Sequence, residues 1–438
     1  MNLKPTLFVF MALAFCFTTL AWTDDEAPAG PKYGDTPAEY VPFGKFTKPY
    51  KEFFLEPLEY TGYGRRIPEP KGLKTVRIGF IGPIESTVSV ATGGMSHEEP
   101  LGVQMLQGAR LAIEKANAAG GYRGQMPFEL MVHNDNGLWG ASGSEIIDMA
   151  YNEKCWAVLG TIDGANSHIA IRVALKCEIP VMNTGDTDPT FIETNIPWVF
   201  RCVTDDRQMC YLLADYVFKE LGLTRVAALR AGNRYGRMSI DEFRDAAKRL
   251  GYPFLAELQY PVGSDDMRPQ LKRLQVINPE AIITYGDARE SALLLKQMRE
   301  MGMEQWLIGS DRMVTDEFYE IAGDAVLQGK VAAGYPFDPT RDDPKWLQFR
   351  EEFQNKFNAI PGHFAAHSYD GMNMLIDAIT QAGLNRALVR DQLTKIKTYH
   401  GVTGQKVFDA VYTNRSPATL ALLENGTFQI YTQDEIFD

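Results

Sequence analysis

From Thr75 onward the chain alternates short apolar runs with amphipathic stretches, and that alternation leaves few folds open. Val76-Arg-Ile-Gly-Phe-Ile-Gly82 is a nearly unbroken apolar run closed by Pro83, the pattern of a strand buried on both faces of a parallel sheet. Leu101 to Ala119 then places Leu106, Ala109, Leu111, Ala112, Ile113 and Ala116 at helical spacing and stops at Gly120-Gly121. Strands are expected next at Phe128–His133, Trp156–Gly160 and Ile179–Asn183, with helices at Ser144–Glu153 and Ala165–Lys176 between them. A second series follows. Its helices fall at Gln208–Leu221, Ser239–Leu250, Asp266–Val276 and Glu290–Met301, and its strands at Arg225–Arg230, Phe254–Tyr260, Ala281–Tyr285 and Trp306–Gly309. Strands joined by helices of about ten to fifteen residues make right-handed βαβ units and parallel sheets. Two such series imply an α/β protein of two doubly wound, Rossmann-like lobes. Long amphipathic helices are expected at Lys345–Phe357 and Ser368–Gln381, and a hairpin around Asn425-Gly426 near the end.

The segment before Thr75 differs. Met1–Thr23 reads as a secretory signal, with Lys4 as its positive region, an apolar run from Leu7 to Phe17 and small residues at Thr19-Leu20-Ala21. Residues 24–74 hold eight prolines and many aromatics, among them Tyr40, Phe43, Phe46, Phe53, Phe54 and Tyr60. That composition suits an irregular arm packed on the body. Four cysteines remain beyond the signal, and an exported chain permits two disulfides. Cys155 and Cys177 each precede a strand of the same series, and Cys202 and Cys210 close a short loop, so the expected pairs are Cys155–Cys177 and Cys202–Cys210. A net charge of −12 argues against nucleic acid and against an anionic membrane surface as partners.

Signatures of catalysis and of cofactors are missing. The chain has no GxGxxG after its first strand, no GxxxxGK[ST] and no GxSxG. His97-Glu98-Glu99 lacks a second histidine at the metalloprotease spacing, and His363 and His367, one helical turn apart, read as surface or half-buried residues. No cofactor or metal is expected, and the chain reads as a binder rather than an enzyme. The informative places are loops after strands, because open α/β sheets bind ligands at the carboxyl ends of their strands beside free helix N–H groups. Four stand out: Gly160–Ser167, Asn183–Thr187, Ala231–Gly236 and Ile308–Asp311.

Several runs in this order resemble a known family. They are Arg77–Pro83, Gly108-Ala-Arg-Leu-Ala-Ile-Glu-Lys-Ala-Asn-Ala-Ala-Gly-Gly121, Ala157–Gly160, Ile179–Thr187, Val199-Phe-Arg201, Arg234-Tyr-Gly236 and Gly309-Ser-Asp311. From about residue 75 to 432 the chain is similar to the type I periplasmic binding proteins, in the leucine/isoleucine/valine-binding branch that serves ATP-driven importers. The resemblance implies two lobes hinged by three crossovers, with lobe 1 formed by 75–202 plus about 333–398 and lobe 2 by about 203–332 plus 399–438. It implies a monomer in the periplasm that closes on a small amino-acid-like, amide or carboxylate ligand and docks on a membrane permease. A sensor or accessory module without transport is the alternative. The family's ligand positions fall on Gly164, Gly185, Thr187, Tyr235 and Asp311. Asp311 would face the ligand ammonium. Gly164 stands where a serine is usual, so the ligand carboxylate would lean on backbone N–H groups or on Asn166 and Ser167. The loop from Glu85 to Pro100 is longer than the family's.

Overall fold

The structure, a computed structural model, describes residues 59–87, 96–194 and 196–437. The expected signal at Met1–Thr23, the aromatics from Tyr40 to Phe54 and the middle of the 85–100 loop lie outside the described residues.

Two parallel sheets form as the alternation requires. The first has the spatial order Phe128–Asn134, Val76–Gly82, Val158–Leu159, Val181–Asn183, Val199–Arg201. All its pairings are parallel, with Val76 opposite Phe128 and Gly79 opposite Val158. The second runs Thr427–Tyr431, Thr419–Glu424, Val331–Tyr335, Trp306–Gly309, Ala281–Ile283, Val226–Ala231, Glu257–Tyr260, and only its two terminal hairpin strands are antiparallel. Val76–Gly82 is buried except at Arg77, which explains its apolar run. In each sheet the chain order reverses beside the first strand of its series. Those two switch points put the loops after Gly82 and Leu159 on one lobe and after Ala231 and Ile283 on the other, where ligands of such sheets bind.

Three crossovers join the lobes. Val199–Arg201 leads through Cys202–Asp205 into the helix Asp206–Asp215, whose apolar residues pack in the core of the second sheet. Val331–Tyr335 leads out to the helix Pro344–Phe357, and the chain returns after the hairpin Thr398–Val407 to Thr419. That hairpin is tied to the helix His363–Ala382. Asp370 accepts from Val402 N at 2.7 Å, from Thr403 N at 3.0 Å and from Thr403 Oγ1 at 2.6 Å, and it meets Lys406 Nζ at 3.2 Å. The same helix crosses Pro100–Ala118 so closely that a Cβ on Gly108 would lie 2.1 Å from the Ala365 carbonyl oxygen. Glycine is therefore required inside the most distinctive sequence motif of the chain.

Only the end of the expected arm is described, and it is anchored. Tyr60 packs edge-on against Trp198 at 4.9 Å and donates to Glu178 at 2.8 Å, while Asn385 Nδ2 donates to the Gly64 and Ile67 carbonyls.

Two expectations are corrected. His363 and His367 are not near the surface: both are fully buried in the helix that runs between the lobes' cores. The expected disulfides Cys155–Cys177 and Cys202–Cys210 are not formed, and all four thiols are buried and free. Cys202 lies in the core of the first lobe and Cys210 in that of the second, where its sulfur is 2.9 Å from the Tyr285 hydroxyl. Cys155 and Cys177 share one core, and Arg386 donates to both of their carbonyls, at 2.9 and 3.2 Å. Burial pushes the Cys155 and Cys202 thiols up to about 12, which keeps them protonated and unreactive.

At the edge of the first sheet His133 sits between two glutamates. Its Nδ1 meets Glu145, and its Nε2 meets Glu153 at 2.9 Å. Burial works against the charged ring, but the bonds to Glu145 and Glu153 outweigh it and raise its pKa above the ordinary value of 6.5. The raised folded-state pKa means that this cluster stabilises fully below about pH 6.5 and loses its contribution as pH rises through the elevated value. His133→Asn should remove that pH-dependent part, about 1 kcal/mol for so partly exposed a cluster. Urea unfolding at pH 6 and pH 9 reads the difference; identical slopes in the two proteins would exclude the coupling.

Candidate functional site

The two switch points face each other across the cleft. On the first lobe Leu159 is followed by Gly160–Asp163, and Gly164 opens the helix Gly164–Cys177. A Cβ on Gly164 would lie 2.5 Å from Asp188 Oδ2 and 3.1 Å from Arg234 Nε, so a serine there would have to displace the Asp188–Arg234 pair. Asp163 stands at the helix N-cap but does not cap it. Its carboxylate instead accepts from Arg312 Nη2 at 2.8 Å, across the cleft.

The second lobe sends two arginines over. Arg312 follows the strand Trp306–Gly309. Its guanidinium lies 3.8 Å from the centroid of the Tyr235 ring and is shared between Asp163 and Asp287. Arg234 opens the helix Arg234–Arg249. It donates to Asp188 Oδ2 at 2.8 Å, to Thr190 Oγ1 at 2.7 Å and to His168 Nε2 at 2.9 Å. Burial and the adjacent Arg234 lower the His168 pKa, which leaves a neutral ring nitrogen to accept that bond.

Asp311 is fully buried between Tyr235 and His363. His363 Nε2 is 2.7 Å from Asp311 Oδ2, and the Tyr235 hydroxyl donates to Oδ1 at 3.5 Å. Burial alone would raise the Asp311 carboxyl, but His363 and Arg312 overcome it and hold it below the usual range. Two further buried acids sit nearby. Burial pushes Asp206 up to about 7 although Ser239 donates to it at 2.6 Å. Burial, followed by the neighbouring Asp188, raises Asp186 far above a normal carboxylate.

Of the residues expected from sequence, Gly164, Tyr235 and Asp311 come together at the junction of the lobes. Gly185 packs into the first lobe, where a Cβ would lie 2.9 Å from Ile162 and from Met105. Asn166 turns away to donate to Asp135 at 2.7 Å, and Ser167 meets Thr161 inside the same lobe. The Thr187 carbonyl accepts from Asp206 N at 2.8 Å, at the start of the helix that enters the second lobe. Sequence reasoning missed Arg234, Arg312, Asp163, Asp188 and His363. The available signal was adjacency, since Arg234 precedes Tyr235 and Arg312 follows Asp311.

Arg312 thus tethers the lobes, and removing it should loosen closure. Arg312→Met is expected to cost the closed form about 2 kcal/mol, roughly a 30-fold shift toward open. The figure is at the low end because the Asp163 and Asp287 side chains keep 33% and 46% of their exposure and would be rehydrated. Small-angle scattering should show a larger radius of gyration; an unchanged radius would remove Arg312 as a tether.

Beside this junction, and sharing Asp163 and Arg312 with it, lies a cavity of about 560 Å³, walled also by Pro83 and Glu98–Gly102 of one lobe and by Val262, Asp287–Glu290 and Glu317 of the other. Among the described residues no helix is long and apolar enough to cross a membrane.

Known proteins share this architecture. The family model described as periplasmic binding protein matches residues 75–425. The Leu/Ile/Val-binding protein homolog 1 of Brucella abortus is 25% identical over 284 residues, covering 65% of this chain and 75% of that protein. An amino acid binding protein of Pseudomonas aeruginosa is 26% identical over 312 residues, covering 70% and 82%. Among solved structures, the branched-chain amino acid transporter substrate-binding protein LivJ of Streptococcus pneumoniae, in complex with isoleucine, superposes with a TM-score of 0.72 at 23% identity, covering 82% of this chain and all of that one. The leucine-binding protein LivK of Thermotoga maritima gives 0.73 at 22% identity, covering 82% and 99%. Two facing sheets, three crossovers and a match over most of the length lead to one conclusion: the chain belongs to the periplasmic binding protein family.

Proposed function

We propose that this protein is the extracytoplasmic substrate-binding component of an ATP-driven importer, capturing a small amino-acid-like ligand between its lobes and presenting the closed form to a membrane permease. The observation that carries this reading is the junction itself. Arg312, stacked on Tyr235 of its own lobe, meets Asp163 of the other, and Asp311 beside it meets His363, so a small change at the cleft alters contacts that exist only when the lobes are together. The names of the relatives support an amino-acid-like ligand. The protein works by binding and release, without turnover, as a monomer in the periplasm. A thermal-shift screen over amino acids, amides and small carboxylates tests the reading, because a ligand that binds only the folded protein raises its unfolding temperature. A hit whose ligand is recovered chemically unchanged is the expected result. Release of a chemically altered ligand would point to an enzyme and overturn it.

A further inference from the structure

The cavity between the lobes has an unbalanced wall. Six carboxylates line it, those of Glu98, Glu99, Asp163, Asp287, Glu290 and Glu317, and among the described lining residues the cations are Arg289 and Arg312. Both guanidiniums are already engaged: Arg312 by Asp163 and Asp287, and Arg289 by Asp265 at the rim. The acids feel one another. Burial raises Glu290 and Glu317, and Asp287 beside each raises them further. Between the acids the described wall is largely apolar, with Leu101, Ile162 and Val262 among the lining side chains and Asn136 as its neutral polar one. A second observation points the same way. The one group that the protein itself places between the lobes on the face of Tyr235 is a guanidinium, stacked at 3.8 Å and held by a carboxylate from each side.

We infer that the ligand of this cleft is a cation on an aliphatic stem, such as a basic amino acid or a diamine, rather than a neutral branched-chain amino acid. The inference rests on the proposed capture between the lobes and adds its charge preference. A wall of this kind holds an incoming ammonium or guanidinium by unscreened attraction while Leu101, Ile162 and Val262 cover the methylenes. The same wall repels a ligand with a free carboxylate in excess, because the available arginine donors are already taken.

Calorimetry on the full mature protein with L-lysine, L-arginine, putrescine, L-leucine and L-glutamate tests it. At least one of the basic probes should bind ten-fold or more tightly than leucine, and its affinity should fall as salt is raised. The double variant Glu98→Gln/Glu317→Gln should weaken the basic probe about ten-fold and flatten the salt dependence, with an unchanged unfolding temperature showing that the fold is intact. Tighter binding of leucine or glutamate overturns the inference and leaves capture between the lobes standing. Binding of none of the five, together with no hit in the broader screen, overturns both.

Discussion

Asp370→Ala should destabilise the protein by about 3–5 kcal/mol, the cost of removing one partner from a buried ion pair. The carboxylate is only 1% exposed, and it satisfies two backbone N–H groups, one hydroxyl and the Lys406 ammonium. Alanine leaves those donors facing a void, and Lys406, also 1% exposed, cannot reach water without unpacking the hairpin Thr398–Val407. Denaturant unfolding of the variant checks the size of the loss. The double variant Asp370→Ala/Lys406→Met should recover part of it, since the stranded charge is then gone. A single variant as stable as the parent would show that the hairpin is held by other means. The consequence would reach the third crossover, because that hairpin precedes the return to Thr419.

Asp311→Asn should cost an ammonium-bearing ligand about 2–5 kcal/mol of binding free energy. The substitution keeps the shape and removes a charge that burial has made strong. The structure also gives Asp311 a protein partner, His363 at 2.7 Å, so a second effect is expected on the fold. Weakening that contact should lower stability by about 1 kcal/mol. The two effects separate the roles. If Asp311 serves the ligand, affinity falls far more than stability. If it serves only His363, the unfolding temperature drops and calorimetry with the same ligand returns the parental affinity. A ligand without a positive group would take away the reason for assigning Asp311 to the site.

The alternation of apolar runs was enough to read both sheets, because strands buried on two faces leave no choice of pattern. It was weaker where small residues dilute the signal. The helix Trp139–Tyr151 begins well before the expected Ser144 because Gly140, Ser142 and Gly143 look like a loop. The strand Val331–Tyr335 was not anticipated, since Val-Ala-Ala-Gly-Tyr carries little hydrophobic weight. The site was legible as a set of loops and illegible as a set of pairs. The position of Gly164, Tyr235 and Asp311 follows from strand ends, which are local. Arg312 meets Asp163 across 149 positions of sequence, and Arg234 meets Asp188 across 46, and no local rule pairs such distant charges. The Cys202–Cys210 expectation failed for a related reason: closeness in sequence does not say which core a side chain enters, and these two enter different ones.

The two arginine tethers also bear on time. Arg312 and Arg234 hold the lobes together with protein groups alone, so a molecule arriving from solution meets a door already shut. Capture then waits on spontaneous opening. At low ligand concentration the observed rate of binding rises in proportion to concentration, as for any encounter, but at high concentration it levels off at the rate at which the tethers let go. That plateau, rather than diffusion of the ligand, would set how fast the protein can load.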